Sequence, residues 1–187
     1  EIEAGVLGAL SETDLPVVAT LSFDTAGHTM MGVSGEEAGS RLAELGVAAI
    51  GANCGANLAD TEAAAAAIRA ACGDIPVVSK ANAGIPVWKG DVLEYDATPE
   101  VLAAHAYRLR DAGIALIGAC CGSTPDHIAH IRGVLDGDLP VPDVAPPVAT
   151  ATVGNGRGRE RRRRRGCCAV HSSSRSPWSP LWSPPVV

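Results

Sequence analysis

An apolar run followed by a capped helical segment occurs four times within the first 135 residues of this chain. The apolar runs cover 15–23, 47–52, 75–80 and 114–118. Runs that are almost continuously apolar are typical of strands buried on both faces, which occur in a parallel sheet covered by helices. The repeat therefore predicts an α/β fold.

Each predicted helix begins with a recognisable capping residue. Ser34 and Glu37 have the spacing of a capping box, and threonine precedes proline at 98–99 and at 124–125. Asp60 or Thr61 is the candidate cap of an alanine-rich helix. The predicted helices cover 34–45, 60–72, 98–112 and 124–135, and we expect the segment 81–98 to be a long loop.

Four βα units can form a small open sheet or half of an eight-unit TIM barrel. The polar and thiol residues follow the carboxyl ends of all four strands: Ser22, Asp24, Asn53, Cys54, Lys80, Asn82, Cys120 and Cys121. A barrel active face has this distribution, whereas an open sheet binds its ligand mainly at one switch point. The distribution favours the barrel.

The charge of the chain changes sign near its end. Residues 1–156 carry 7 Lys and Arg against 20 Asp and Glu, a net charge of −13, and residues 157–187 carry 8 Arg against one Glu, a net charge of +7. We expect a barrel domain over 1–138 and a Pro/Arg/Ser-rich linker and disordered tail over 139–187. The arginine run at 161–165 admits nucleic-acid or acidic-lipid binding, a solvated tail, or non-native sequence, and we favour the last two.

No run of 18 apolar residues and no basic segment followed by an apolar one is present, so we expect neither a membrane span nor a signal peptide. The sequence begins at Glu1, which is compatible with processing or with a fragment. Its six cysteines then indicate reduced thiols or metal ligands in a cytoplasmic protein.

Three cysteines follow strand ends on one predicted face. Cys54 comes after the second strand, and the adjacent Cys120 and Cys121 come after the fourth, between Gly118 and Gly122. Three thiolates suit a catalytic Zn²⁺ with a fourth position left for substrate. A substrate thiol held there is present as thiolate at neutral pH and can attack a methyl group. The alternative for any one cysteine is a small buried side chain, which is our interpretation of Cys72.

Three segments together resemble the homocysteine S-methyltransferase family: GANCG at 51–55, KANAG at 80–84 and IGACCGSTPDHI at 117–128. The segment SFDTAGHTMMGV at 22–33 is also similar to this family, and the resemblance covers residues 15–135. Ala119 and Ser123 depart mildly from the family pattern of glycine and threonine. The resemblance implies the C-terminal half of a (βα)8 barrel.

The family resemblance also implies a ligand set and a reaction. Cys54, Cys120 and Cys121 would bind Zn²⁺, and Asn82 would lie near the metal, as a fourth ligand or as a loop-capping residue. The implied reaction transfers a methyl group to homocysteine from a betaine-type onium, S-methylmethionine or methyl-folate donor, giving methionine. We assign Asp24 as a further candidate for substrate contact.

The N-terminal half of the family barrel has no counterpart here, so we expect activity to require it. The alternatives are a catalytically inactive zinc-binding fragment, which would form a homo-oligomer to cover its open sheet, and a nucleic-acid-binding protein that uses its tail. We expect His127 to have a packing or helix-start role, Lys80 to pair with a carboxylate, and Cys167 and Cys168 to be disordered thiols.

Overall fold

A computed structural model describes residues 2–146 and has an α/β fold with a parallel sheet, as the apolar repeat predicts. In chain order the elements are α1 (Ile2–Glu12), β1 (Val18–Leu21), α2 (Gly35–Glu44), β2 (Ala49–Cys54), α3 (Leu58–Ala71), β3 (Val77–Ala81), β4 (Pro86–Lys89), β5 (Val92–Tyr95), α4 (Pro99–Asp111), β6 (Leu116–Ala119) and α5 (Pro125–Asp136).

The main sheet has four parallel strands in the order β1-β2-β3-β6. Spatial neighbours thus follow chain order, and the described strands contain no reversal of order that would create a switch point. The carboxyl ends of all four strands consequently lie along the same edge, where the predicted site residues are found.

The described helices pack against one face of this sheet. Ala19, Ile50 and Val77 are neighbours across β1, β2 and β3 and belong to one buried cluster. That cluster also contains Val6, Leu42, Ile68 and Leu109 from α1, α2, α3 and α4. A second cluster joins Ile131 and Val134 of α5 to Ala81 on the same side of β3.

The opposite face of the sheet carries Thr20, Gly51, Val78 and Leu116, which are neighbours in register. Leu116 is 49% exposed on the outer strand β6, and Val18 is 54% exposed on the other outer strand, β1. The burial on both faces that their apolar sequence predicts is therefore seen at Gly51 and Val78 of the two central strands, but not at Val18 and Leu116 of the two outer strands.

Two of the expected helix starts are confirmed by direct cap contacts, and one is wrong. Ser34 Oγ accepts a hydrogen bond from the Glu37 amide at 3.1 Å, and Thr98 likewise caps α4. Helix α3 begins at Leu58 rather than at 60, because Asn57 caps it by accepting the Asp60 amide at 2.8 Å. Asparagine caps as well as aspartate does, so the earlier residue sets the helix start.

The expected long loop over 81–98 contains an antiparallel hairpin of β4 and β5, and residues 2–12 form a helix that the repeat did not indicate. Both elements are short or contain weak formers, Pro86 in the hairpin and Gly5 and Gly8 in α1. Tertiary contacts stabilise α1, since Val6 is buried in the core and Glu3 pairs with Arg41 at 3.0 Å.

Residues 139–146 contain no helix or strand, although Leu139 still donates its amide to the Gly133 carbonyl at 3.0 Å. The arginine run, Cys167 and Cys168 lie outside the described residues, and so does the rest of the expected tail from residue 147 onward. Within residues 2–146, no helix has both the length and the apolar character that crossing a membrane requires.

A half-buried ionic contact links α3 to α4. The Glu62 carboxylate accepts hydrogen bonds from His105 Nδ1 at 3.1 Å and from Arg108 Nε at 3.2 Å. Burial raises the pKa of Glu62, but the hydrogen bond from His105 and the charges of His105 and Arg108 outweigh it, so the net pKa is lowered. Ionised Glu62 therefore stabilises the fold.

We expect Glu62→Gln to lower the free energy of unfolding by about 1–3 kcal/mol at pH 7, measured by urea denaturation. The pKa of Glu62 is lower in the folded protein than in the unfolded chain. Its full contribution to stability is therefore present above the unfolded pKa and is lost as the pH falls through the folded pKa. The difference in free energy of unfolding between the unmodified chain and the Glu62→Gln variant should thus become smaller below about pH 4. The exposed Glu44→Gln is the control, with an expected loss under about 1 kcal/mol. A pH-independent difference would contradict this assignment.

Candidate metal centre

The structure brings Cys54, Cys120 and Cys121 together at the carboxyl edge of the sheet. Their sulfur atoms all lie within 4.8 Å of one another. Sγ of Cys120 is 3.2 Å from Sγ of Cys54 and 3.9 Å from Sγ of Cys121. Cys54 and Cys120 are 66 residues apart in the sequence, and the parallel register of β2, β3 and β6 makes them neighbours.

Cys54 reaches the cluster through an unusual backbone conformation. It is the last residue of β2 and has φ +56°, in the left-handed region, which costs a non-glycine residue about 1–2 kcal/mol. Gly55 continues the turn at φ +82°, and Thr61 Oγ1 lies so close that it leaves no space for a β-carbon there. Thr61 Oγ1 also donates to the Cys54 carbonyl at 3.0 Å and so holds the turn against α3.

Cys120 and Cys121 are positioned by an extension of the β3–β6 ladder beyond the strands. The Cys120 amide donates to the Ala81 carbonyl at 2.7 Å, and the Ala83 amide donates to the Cys121 carbonyl at 2.9 Å. A tight turn follows, closed by the Ser123 amide and hydroxyl, which both donate to the Cys120 carbonyl. The two adjacent thiols are therefore fixed at the start of this turn.

Asn82 connects the two segments that carry the thiols. Its Nδ2 donates to the Gly55 carbonyl at 3.1 Å, and its Oδ1 accepts the Cys121 amide at 3.1 Å. Both ends of the side-chain amide thus hold backbone beside a cysteine. The contacts match the loop-capping alternative for Asn82, and direct ligation by its oxygen stays a prediction.

Asn53, on β2, and Ser22, which directly follows β1, supply a polar side to Cys54. Asn53 Nδ2 donates to Cys54 Sγ at 3.2 Å and lies 3.4 Å from Ser22 Oγ. Burial raises the pKa of Cys54, but hydrogen bonds from Cys120, Asn53, Cys121 and Ser22 outweigh it and lower the net pKa. Burial and the hydrogen bonds with Cys54 and Cys121 raise the pKa of Cys120 to about 11. In the absence of a metal, the first thiolate is thus favoured at Cys54.

The side chain of Tyr95, at the end of the hairpin, packs directly on Gly122. Burial raises the pKa of Tyr95, and the charges of Cys121, Cys120 and Cys54 raise it further, so the phenol stays neutral beside the thiols. The sequence did not indicate this contact, because Tyr95 lay within a segment expected to be loop. Only the hairpin register places it beside the cysteine pair.

The donor set fits Zn²⁺. Zinc binds thiolate sulfur at about 2.3 Å, and a tetrahedron with that radius has edges of about 3.8 Å. The two S–S distances of 3.2 and 3.9 Å lie near this edge, so small side-chain rotations suffice for all three sulfurs to contact one ion. Three protein ligands leave one tetrahedral position for a fourth group.

Three further residues discussed in the sequence analysis, Asp24, Lys80 and Cys72, do not belong to the three-thiol cluster. Asp24 is exposed and accepts a hydrogen bond from Thr25 at 3.3 Å, so its contact with substrate stays a prediction. Lys80 is exposed and has no carboxylate within 4.0 Å among the described residues, so the expected pair is not found there. Cys72 is buried in the core, as expected.

His127 has the packing and helix-start role expected of it. Its Nδ1 accepts the Thr124 amide at 3.1 Å at the start of α5, which leaves Nε2–H to donate to the Ala97 carbonyl at 3.1 Å. The ring is buried and joins the segment after the cysteine pair to the start of α4. This arrangement fixes the turn that carries Cys120 and Cys121.

A cleft of about 790 Å³ lies beside the cluster and is bordered on that side by Ser22 and Asn53. Its walls are mainly apolar, with Met30 and Met31 exposed at 80% and 84%, and it also contains Glu37 and Arg41. This volume is within the usual range of small-molecule sites. The cleft and the thiols therefore share the Asn53 side chain as a common border.

Comparisons with known proteins place the chain in one family. The family model for homocysteine S-methyltransferase matches residues 1–135, which extends the sequence resemblance to α1. Methionine synthase from Mycobacterium leprae is 33% identical over 153 residues, 75% of this chain, and that from Mycobacterium tuberculosis is 34% identical over 142 residues, 72% of this chain. The chain spans 12% of the length of each.

A similar fold occurs in the crystal structure of the homocysteine methyltransferase MmuM from Escherichia coli in its apo form. The TM-score is 0.55 at 24% sequence identity, and the match covers 71% of this chain and 44% of that one. With the three-thiol site and the family match over residues 1–135, this chain belongs to the homocysteine S-methyltransferase family.

Proposed function

We propose that this chain takes part in zinc-dependent methyl transfer to the thiol of homocysteine, which forms methionine. The observation that carries the proposal is the convergence of Cys54, Cys120 and Cys121, whose sulfurs lie within 4.8 Å of one another in a member of this family. Zn²⁺ is the metal that this donor set favours. The methyl donor is an onium compound or a methyl-folate.

Each contact around the thiols has a role in this proposal. Cys54, Cys120 and Cys121 hold the metal, which when bound lowers the pKa of a substrate thiol so that thiolate is present at neutral pH. Asn82 keeps the two ligand segments at a fixed separation through Gly55 and the Cys121 amide. Such supporting contacts typically change metal affinity by about 10–100-fold when removed.

We further propose that the described strands are four consecutive strands of a (βα)8 barrel. Strand order that follows the chain, all strands parallel and described helices on one face support this, because a doubly wound sheet has helices on both faces. The sheet face opposite the described helices, which carries Thr20, Val78 and Leu116, would then point to the barrel interior. Turnover would require the four remaining strands.

The test measures homocysteine binding by calorimetry on the purified chain loaded with one equivalent of zinc. We expect L-homocysteine to bind at pH 7.5 with release of about one proton, since a free thiol with pKa near 8.5 is mostly protonated there. The proton count follows from buffers of different ionisation enthalpy. L-homoserine, in which oxygen replaces sulfur, is the matched control and should give no measurable heat. Equal binding of the two, or homocysteine binding without proton release, would overturn the proposal.

A zinc-binding chain without turnover is the second candidate function. The exposed Val18 and Leu116 on the two outer strands favour it, because both edges of the sheet lack a strand partner within the described residues. An assay for methionine with homocysteine and each donor class distinguishes the candidates. Methionine production that is lost in the Cys54→Ser variant would exclude the second candidate.

A further inference from the structure

The β4–β5 hairpin is an exposed element with many apolar side chains. All residues of its two strands are exposed except Tyr95, which packs on Gly122 at the base of the hairpin. Trp88 is 70% exposed and Leu93 is 41% exposed. Contiguous exposed apolar side chains commonly mark a surface that binds another molecule. The hairpin is therefore a candidate interaction surface.

The hairpin register separates an aromatic face from a charged face. Residues directly opposite each other in an antiparallel pair share a face, and faces alternate along each strand. The pairs Pro86–Tyr95 and Trp88–Leu93 form the aromatic face, and the pairs Val87–Glu94 and Lys89–Val92 form the charged face. The ion pair of Lys89 with Glu94 at 2.6 Å agrees with this division.

The backbone of Leu93 points to the free edge of β5. Residues 90–91 form a two-residue turn, so Lys89 and Val92 are the hydrogen-bonded pair that closes it. Hydrogen-bonded and non-hydrogen-bonded pairs alternate in an antiparallel ladder, so the N–H and C=O groups of the next pair, Trp88 and Leu93, point away from the hairpin. Within residues 2–146, neither backbone makes a further hydrogen bond.

The edge of β5 is better suited to accept another strand than the edge of β4. The second outward-pointing residue of β4 is Pro86, which has no N–H to donate. Proline on an edge strand is a common device against pairing with another chain. On β5 the corresponding residue is Tyr95, which keeps its N–H. Pairing with another strand is therefore expected at β5.

We propose that the edge of β5 binds the same edge of a second copy of this chain, in antiparallel orientation about a twofold axis at Leu93. The two Leu93 residues exchange a pair of backbone hydrogen bonds, and the two hairpins form one four-stranded sheet. On the aromatic face, Trp88 and Leu93 then continue into Leu93 and Trp88 of the second copy. This row brings four exposed apolar side chains into contact.

The charged face favours this partner and this register. Each Glu94 lies opposite Val92 of the second copy, and Lys89 of the second copy follows in the same row. Each Glu94 carboxylate thus lies between two lysines, its own Lys89 and that of the second copy, and no like charges are opposite each other. A twofold axis at Glu94 would instead place the two carboxylates opposite each other, which is destabilising.

The paired edges are short, so the dimer should be weak. Strand β5 has four residues, and its pairing buries less than the 1,200–2,000 Å² or so typical of stable complexes. Residues 1–156 carry a net charge of −13, so two copies repel each other more at low salt. We expect a dissociation constant of about 10 μM to 1 mM, and tighter association at about 0.5 M than at about 0.05 M salt.

The test measures self-association of the full chain by sedimentation equilibrium over a series of concentrations. Leu93→Lys and Leu93→Glu each place like charges opposite each other at the twofold axis, so each should weaken the dimer more than about 10-fold. An equimolar mixture of the two variants should associate again, because Lys and Glu are then opposite. This recovery depends on the proposed register, since Leu93 lies opposite its own counterpart only when the axis passes there.

Leu116→Lys is the matched control, because Leu116 is similarly exposed but lies on the outer strand β6 of the main sheet. It should leave the dissociation constant unchanged. Unchanged zinc content of the two Leu93 variants checks that the rest of the fold is intact. A chain that stays monomeric up to about 1 mM, a dimer that Leu116→Lys disrupts, or a mixture that associates no better than either Leu93 variant alone would each overturn the proposal.

Discussion

Replacing Cys120 with serine is expected to lower the affinity of the chain for Zn²⁺ more than about 100-fold, because loss of a ligand should exceed the 10–100-fold cost of removing a supporting contact. Sγ of Cys120 lies 3.2 Å from Sγ of Cys54 and 3.9 Å from Sγ of Cys121, so it is close to both other sulfurs. A serine hydroxyl does not ionise at neutral pH and is a poor replacement for thiolate. Metal analysis after dialysis against a chelator measures the loss.

The triple variant of Cys54, Cys120 and Cys121 to serine should retain no zinc, whereas the unmodified chain should retain about one ion. Cys72→Ala is the matched control, because Cys72 is a free cysteine buried in the core. It should keep the full zinc content. Full retention of zinc in the triple variant would rule out this site.

Substituting Gly122 with alanine should have the next largest effect, on both stability and metal binding. The added β-carbon would lie 2.1 Å from Cγ of Tyr95, and φ at Gly122 is +76°. Overpacking typically costs about 1–3 kcal/mol, and a left-handed conformation costs about 1–2 kcal/mol for alanine. We therefore expect a loss of about 2–5 kcal/mol in the free energy of unfolding. Movement of the neighbouring Cys121 should also weaken zinc binding about 10–100-fold.

Two comparisons separate the cost of overlap with Tyr95 from the cost of the left-handed backbone conformation. Gly137→Ala has the same backbone cost, at φ +86°, but no atom lies within 4 Å of the added carbon, so it should lose only about 1–2 kcal/mol. Tyr95→Ala in the Gly122→Ala background should recover the part due to overlap, measured by urea denaturation of all four chains. Equal losses in the Gly122 and Gly137 variants would show that Tyr95 does not press on this turn.

Local signals were sufficient for most of the sheet and for the starts of α2, α4 and α5. Ser34 caps α2 as expected because a cap depends on residues three positions apart. The start of α3 was placed too late because Asn57, Asp60 and Thr61 are all good caps and only packing selects among them. The hairpin was missed because β4 and β5 have four residues each and one begins with Pro86.

The candidate site was also predictable in part. Cys54, Cys120 and Cys121 were singled out because they follow strand ends, and the structure brings them together. The contacts of Asn82 with Gly55 and Cys121, and of Tyr95 with Gly122, could not be predicted. Each joins segments far apart in the chain, and its geometry depends on the exact register of neighbouring strands.

The sequence by itself thus determined the alternation of strands and helices, the membership of the family and which three cysteines form the candidate metal centre, because periodicity, capping and motif are properties of short segments. Tertiary structure alone decided that the described helices cover one face, that Cys54 adopts φ +56° and that the β4–β5 hairpin places Tyr95 beside the cysteine pair. These features arise from parallel strand register and close packing, in which residues distant in sequence fix one another.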